Sequence, residues 1–234
     1  MRGPCSVLSG QSRRERQKEG RINHTYSDYI QEENMPTGIK IEGINFSEQA
    51  LVDHPAHAAV LGRIFTSWSL IESTVTSLLG LMMHDDHRAA LAILGSFRNN
   101  SSRVEVVRRI GREVLDEPLR QDFDGLMKDV LSYAIERNAI AHGLWGSEKG
   151  QPDLVYRMPM EVFSNFAIEA PNNPPGDVDA LVQSFKDKME TLTVDDLLKI
   201  EQRGRNIFLR VMQEMTQKTY SRASKNPAFN STPP

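Results

Sequence analysis

Between Val60 and Met82 the apolar residues Val60, Ile64, Trp68, Ile71, Val75, Leu78 and Met82 recur at steps of four and three. Carried through about seven turns at 3.6 residues each, that spacing puts them on one side of a single long helix, a core helix by its pattern. The His54-Pro55 step after Asp53 predicts its start, because proline suits the first helical turn. A second stripe, Leu61, Phe65, Trp68 and Leu79, has Glu72 where an apolar residue would complete it. A carboxylate there asks for a cation, and Arg137 is the candidate for a supporting ion pair; the alternative is that Glu72 reaches solvent from the edge of the face.

Further helices follow. His84, Asp85, Asp86 and His87 predict a turn. Two histidines and two aspartates invite a metal reading, but the chain names no third or fourth ligand for them, nor for His54 with His57, and capping the next helix is the better use of Asp86. That helix carries Ala90, Leu91, Ile93 and Leu94 on to Phe97, and Asn99 and Asn100 break it. Ser102 with Glu105 reads as a capping box opening a third amphipathic helix through Val104, Val107, Ile110, Val114 and Leu115. Arg103, Arg108, Arg109 and Arg112 stand on its outer face and Arg98 just before it, against Glu105 and Glu113. This is the most plausible local groove for an RNA backbone, with an ordinary solvated face as the other reading.

Pro118 begins a fourth helix whose core stripe is Phe123, Met127, Val130 and Ala134. One more step lands on Arg137. A parallel stripe, Leu131 and Ile135, continues to Asn138 and His142, so three polar side chains take positions the pattern reserves for apolar ones. Gly143 offers a left-handed residue to end the helix, which puts the imidazole in the last turn, where the negative end of the macrodipole favours its charged form. Beyond Gly146, Leu154, Val155, Tyr156 and Met158 predict a small two- or three-stranded ribbon that can extend over Val162 to Ile168. APNNPPGD, residues 170 to 177, reads as a loop. An amphipathic piece with Val178, Leu181, Phe185 and Met189 leads to a final helix opened by Thr193, with Leu197, Ile200, Ile207, Phe208, Val211 and Met215 on its apolar face.

At 234 residues, 39% hydrophobic and 25% charged, the chain suits one domain with tails. The expected division is a disordered tail over 1–46, a single helical domain over 47–218, and a loose tail over 219–234. Within the domain, 47–142 form a four-helix core, 143–170 the ribbon and 177–218 the C-terminal helices. The run from Arg13 to Arg21 has no helical apolar face and is read as solvated, with a basic arm that touches RNA as the alternative. The single cysteine, Cys5, cannot make an internal bridge, which points to a reducing compartment. No apolar run approaches the roughly 18 to 20 residues of a membrane span, and the N-terminus lacks a secretory segment, so a bacterial-type cytoplasm is expected. The formal net charge of -3 denies the protein as a whole the footprint of a general nucleic-acid binder, so RNA contact has to be local.

Arg137, four residues, then His142, with Asn138 directly after the arginine and helices around it, resembles the signature of the HEPN superfamily. That group comprises helical-bundle proteins, many of them metal-independent ribonucleases. The continuation HGLWG and the segment WSLIES, Trp68 to Ser73, are similar to a bacterial branch of it, and the resemblance spans roughly residues 54 to 158. It implies a mainly α fold, a HEPN-like antiparallel helical bundle, here with a small β-ribbon and an additional C-terminal helix. It also implies a homodimer whose motif helices face one another across a cleft, an RNA substrate, a toxin-antitoxin or defence setting with a cognate inhibitor protein, no cofactor and no metal. The ribbon and terminal helix exceed the minimal bundle.

The chemistry stands on its own terms. Cleaving RNA without metal needs a base for the 2′-hydroxyl proton, an acid for the leaving oxygen, and positive charge where the phosphorane forms. His142 supplies a proton carrier, Arg137 a forked cation suited to phosphate, and Asn138 a neutral group to hold imidazole or substrate. Five residues along a helix rise about 7.5 Å and turn about 140°, so Arg137 and His142 diverge at the backbone, while Asn138 and His142 share a face. Two motifs related by a dimer axis could pool their groups. The competing reading is structural: Arg137 neutralising Glu72, Asn138 bonding a helix carbonyl and His142 ending the helix, in a non-catalytic RNA-binding, nucleotide-binding or protein-interaction module.

Overall fold

A computed structural model describes residues 39–216 apart from 42, 118 and 170–181. The predicted loop over 170–177, the terminal tails beyond those limits, Cys5, the run from Arg13 to Arg21, Pro118, Val178 and Leu181 lie outside the described residues.

The chain is mainly helical. The long apolar stripe forms α2, Pro55–Met82, preceded by a short α1, Gln49–Val52. Then come α3, His87–Gly95, α4, Asn100–Val114, and α5, Leu119–Ala141. After two strands and α6, Met160–Glu169, residues 182–187 are helical, and α7, Val194–Leu209, runs directly into a π-helical stretch, Arg210–Thr216. Proline stands at the start of α2 as its sequence requires. Asp86 caps α3 by accepting from the Ala89 amide at 2.9 Å, and Thr193 with Asp196 forms a reciprocal capping box on α7. The capping box expected at Ser102 is absent: Asn99 caps α4, accepting from the Ser102 amide at 2.7 Å. The helix begins one turn earlier than the apolar stripe shows, because an asparagine carbonyl is as good an acceptor as a serine hydroxyl.

Ile64, Ile71, Leu78 and Leu79 of α2 are fully buried, and Phe123, Met127, Val130 and Ala134 of α5, Leu197 and Ile207 of α7 and Val211 and Met215 beyond it close around them. Tyr133, fully buried, is the largest core side chain after Trp68. It reaches across from α5 to α7, over Gly204, where any Cβ would collide with the phenol, and its hydroxyl donates to the Ile64 carbonyl at 3.4 Å. Arg203 with Glu136 and Arg210 with Asp129, at 3.0 and 2.7 Å, tie α7 and its extension to α5 outside that contact.

The ribbon is larger than its sequence suggests. Ile39–Ile41 (β1), Ile44–Phe46 (β2), Gly143–Glu148 (β3), Val155–Pro159 (β4) and Glu190–Leu192 (β5) form one antiparallel sheet in sequential order. Residues 39–41 and 44–46, counted from sequence with the N-terminal tail, are therefore strands that reach β3 through the pairs Ile44 with Glu148 and Phe46 with Gly146. Three-residue strands are too short for alternation to reveal, which is why β1, β2 and β5 escape a reading by period. The segment from Val162 to Ile168 is helix α6 rather than a third strand. Ile44, Phe46, Tyr156 and Met158 make a second apolar cluster, against which Phe163 and Phe166 of α6 and Phe185 pack. Trp145, one residue out of phase, joins the helical core instead. The junction between α5 and β3 is where the two layers meet, and the motif lies there.

Candidate functional site

Arg137, Asn138 and His142 occupy the last turn of α5 and the residue after it. Helix α5 ends at Ala141, and the His142 amide donates to the Asn138 carbonyl at 3.0 Å, closing the final turn. Gly143 does not take the left-handed conformation expected of it; it opens β3 at once. What it provides is clearance, since a Cβ there would lie 2.6 Å from Cγ of Arg157 and 3.2 Å from the Ala139 carbonyl.

The core stripe of α5 carries on into Arg137, whose guanidinium is half-buried over two rings of α2, 5.4 Å from the centroid of Phe65 and 6.0 Å from that of Trp68. A planar, weakly hydrated cation keeps its charge against aromatic faces, which accounts for a stripe that turns polar without being broken. Its Nη1 donates to Oδ1 of Asn138 at 2.9 Å, while its Nε is buried with no hydrogen-bond partner among the described residues. No carboxylate pairs with it there. Glu72, expected to do so, bonds Nη1 of Arg103 at 3.2 Å, with both side chains about one-third exposed at 36%. Glu72 sits at the edge of α2 that faces α4, where Arg103 is the nearer arginine.

The second stripe leaves the core after Leu131, which is partly buried against it. Ile135 is 62% exposed and His142 is exposed. Together with Gly125, Lys128, Ser132 and Ala139 they form an outward seam at steps of three and four along α5. The imidazole has no side-chain partner among the described residues. Arg137 and Asn138 are therefore brought together, while His142 stands apart from the guanidinium on a different face, as the helical rotation requires.

The arginines read as an RNA groove are largely engaged. Arg103 reaches Glu72 and the Phe97 carbonyl. Arg108 pairs with Glu105 at 3.1 Å and Asp124 at 3.5 Å, Arg109 with Glu105 at 3.1 Å, and Arg112 grips Asp124 with two nitrogens, the shorter contact being 2.7 Å. Asp124 is held below the ordinary carboxylate range chiefly by the hydrogen bond from Arg112, and Glu105 likewise by that from Arg109. Arg98 is exposed and has no carboxylate partner among the described residues.

Reading by sequence misses Arg157. It lies on β4 opposite Trp145, is 9% exposed, crosses Gly143, and forms an ion pair with Glu190, its register partner on β5. The signal available was an arginine at an inward-facing alternate position between Val155 and Pro159. His54 and His57, set aside as a metal pair for want of further ligands, are buried at the start of α2: His54 bonds the Ala50 carbonyl at 2.8 Å, its ring is 5.6 Å from that of His57, and Nε2 of His57 is buried without a partner among the described residues. Burial, with the neighbouring His54 second, lowers the pKa of His57.

Among the described residues no three His, Cys, Asp or Glu side chains gather as metal ligands, and no helix is long and apolar enough to cross a membrane. Comparison with protein-family models, with curated proteins and with solved structures finds no match to this chain.

Proposed function

We propose that the protein is a metal-independent endoribonuclease of HEPN type that acts as a homodimer, with Arg137, Asn138 and His142 as its catalytic groups. The observation that carries this reading is the state of Arg137: a guanidinium with no carboxylate partner among the described residues, packed over Phe65 and Trp68 and bonded to Asn138, on the same helix end as an exposed imidazole. A permanent cation without an anion is prepared for a phosphate. In the reaction a 2′-hydroxyl loses its proton to one imidazole and attacks the adjacent phosphorus. Arg137 offsets the charge on the non-bridging oxygens, and a second imidazole protonates the departing 5′-oxygen, leaving a 2′,3′-cyclic phosphate and a 5′-hydroxyl. One chain offers a single His142, and the exposed seam of α5 with Ile135 is where a second copy would bring the other. A toxin or defence role and an inhibitor protein belong to the same proposal.

The experiment compares wild type with His142→Ala and Arg137→Ala proteins whose circular dichroism matches wild type. Loss of at least about a hundredfold in RNA cleavage is expected for each, the usual weight of an acid-base group. Cleavage by both variants at the wild-type rate would overturn the proposal.

One observation favours a second reading, a non-catalytic helical interaction module: the packing of Arg137 against Phe65 and Trp68 is already a structural use for it. That reading predicts no nuclease activity in any form of the protein and a lowered melting temperature for Arg137→Ala.

A further inference from the structure

Between α2, α3, α4 and α5 there is a cavity of about 50 Å³ walled by Trp68, Ile71, Val75, Leu94, Val104 and Val130, all buried. A water-sized group needs roughly 10–15 Å³ of such space, so the cavity accepts three to five heavy atoms, roughly a branched aliphatic side chain. The rest of its lining is polar, Thr76, Asn100, Glu72 and Arg103, the last two each about one-third exposed.

That pair uses only part of its hydrogen-bonding capacity. A single contact joins Nη1 of Arg103 to Oε1 of Glu72, and Nε of Arg103 is turned to the Phe97 carbonyl. Oε2 of Glu72 and Nη2 of Arg103 have no hydrogen-bond partner among the described residues. A free anion acceptor and a free cation donor thus stand side by side at the rim of an apolar slot sized for a few carbons. We propose that this is a binding site for an aliphatic α-amino acid, its ammonium on Glu72, its carboxylate on Arg103 and its side chain among Trp68, Val104 and Val130. The α-amino acid head carries an ammonium and a carboxylate on one carbon, matching the adjacent carboxylate and guanidinium held 3.2 Å apart, and binding would add two charge-assisted bonds, to Oε2 of Glu72 and Nη2 of Arg103. The site shares the Trp68 ring with the bed of Arg137 but uses none of the proposed catalytic groups.

Isothermal titration calorimetry of the full chain with L-leucine tests this, with glycine, isocaproic acid and isoamylamine as probes that lack the tail, the ammonium and the carboxylate. Trp68 fluorescence serves as a second readout. Saturable 1:1 leucine binding is expected, weakened at least about tenfold for each probe and in Glu72→Gln and Arg103→Gln proteins, both rim substitutions that leave the core intact. No binding at millimolar leucine overturns the proposal. So does equal affinity for isocaproic acid or isoamylamine, or leucine binding that survives both substitutions.

Discussion

A guanidinium can be accommodated in a helical core by a carboxylate or by aromatic faces, and Arg137 uses the second means. The choice is measurable. A double-mutant cycle on Glu72 and Arg103 is expected to give a coupling of about 0.2–1 kcal/mol, the range for partly exposed pairs, whereas the cycle on Glu72 and Arg137 should be additive. Urea denaturation of the three single and two double alanine variants supplies both; coupling confined to Glu72 and Arg137 would refute the assignment. His57 gives a prediction in pH. Its pKa in the folded protein is lowered, so folding favours the neutral ring: the stability it contributes is fully present above the unfolded value of 6.5 and is lost as pH falls from there through the folded pKa. The charged groups that bear on the ring are His54, which disfavours protonation, and Asp153, which favours it. Wild type should lose stability between pH 7.5 and 5.5 in urea titrations, and His57→Gln should lose less. Equal slopes would show that the ring is protonated at no penalty.

Among the elements, helix starts and close approaches decide where side chains fall. Asn99→Ala should destabilise by about 1 kcal/mol, as loss of a cap does, and Ser102→Ala by much less, since only the backbone of Ser102 takes part in the cap. The same denaturation series distinguishes them; the reverse ranking would restore the later helix start. Gly204→Val should destabilise by about 1–3 kcal/mol because the phenol of Tyr133 occupies the space of the new side chain. The periodic stripes of α2 and α5 made these helices legible, since burial of Ile64, Ile71, Phe123 and Met127 is what their spacing states. The Leu131 and Ile135 stripe misled because a surface helix can carry isolated apolar residues on its wet side, and Ile135 is one. The partner of Glu72 was not legible either: choosing between Arg103 and Arg137 requires knowing which helix is the neighbour, and that is a tertiary fact.

At the scale of the molecule, a helical bundle and a five-stranded antiparallel sheet share the α5 to β3 junction, and each contributes to it. The bundle presents Arg137 on its aromatic bed, the sheet presents Arg157 across Gly143, and His142 lies between them in sequence at the surface. The sheet was only partly readable because its outer strands are three residues long, so their pairing is set by contacts distant in the chain. Arg103, Arg108, Arg109 and Arg112 on α4 are each engaged by a carboxylate, so under the proposed function phosphate contact would rest on the α5 end. The most direct measurement is the chemistry of the ends left on a defined RNA by purified protein in excess EDTA, read by mass spectrometry. The account predicts fragments ending in a 2′,3′-cyclic phosphate, produced by wild type and not by His142→Ala; intact RNA, or cleavage that stops when metal is chelated, would contradict it.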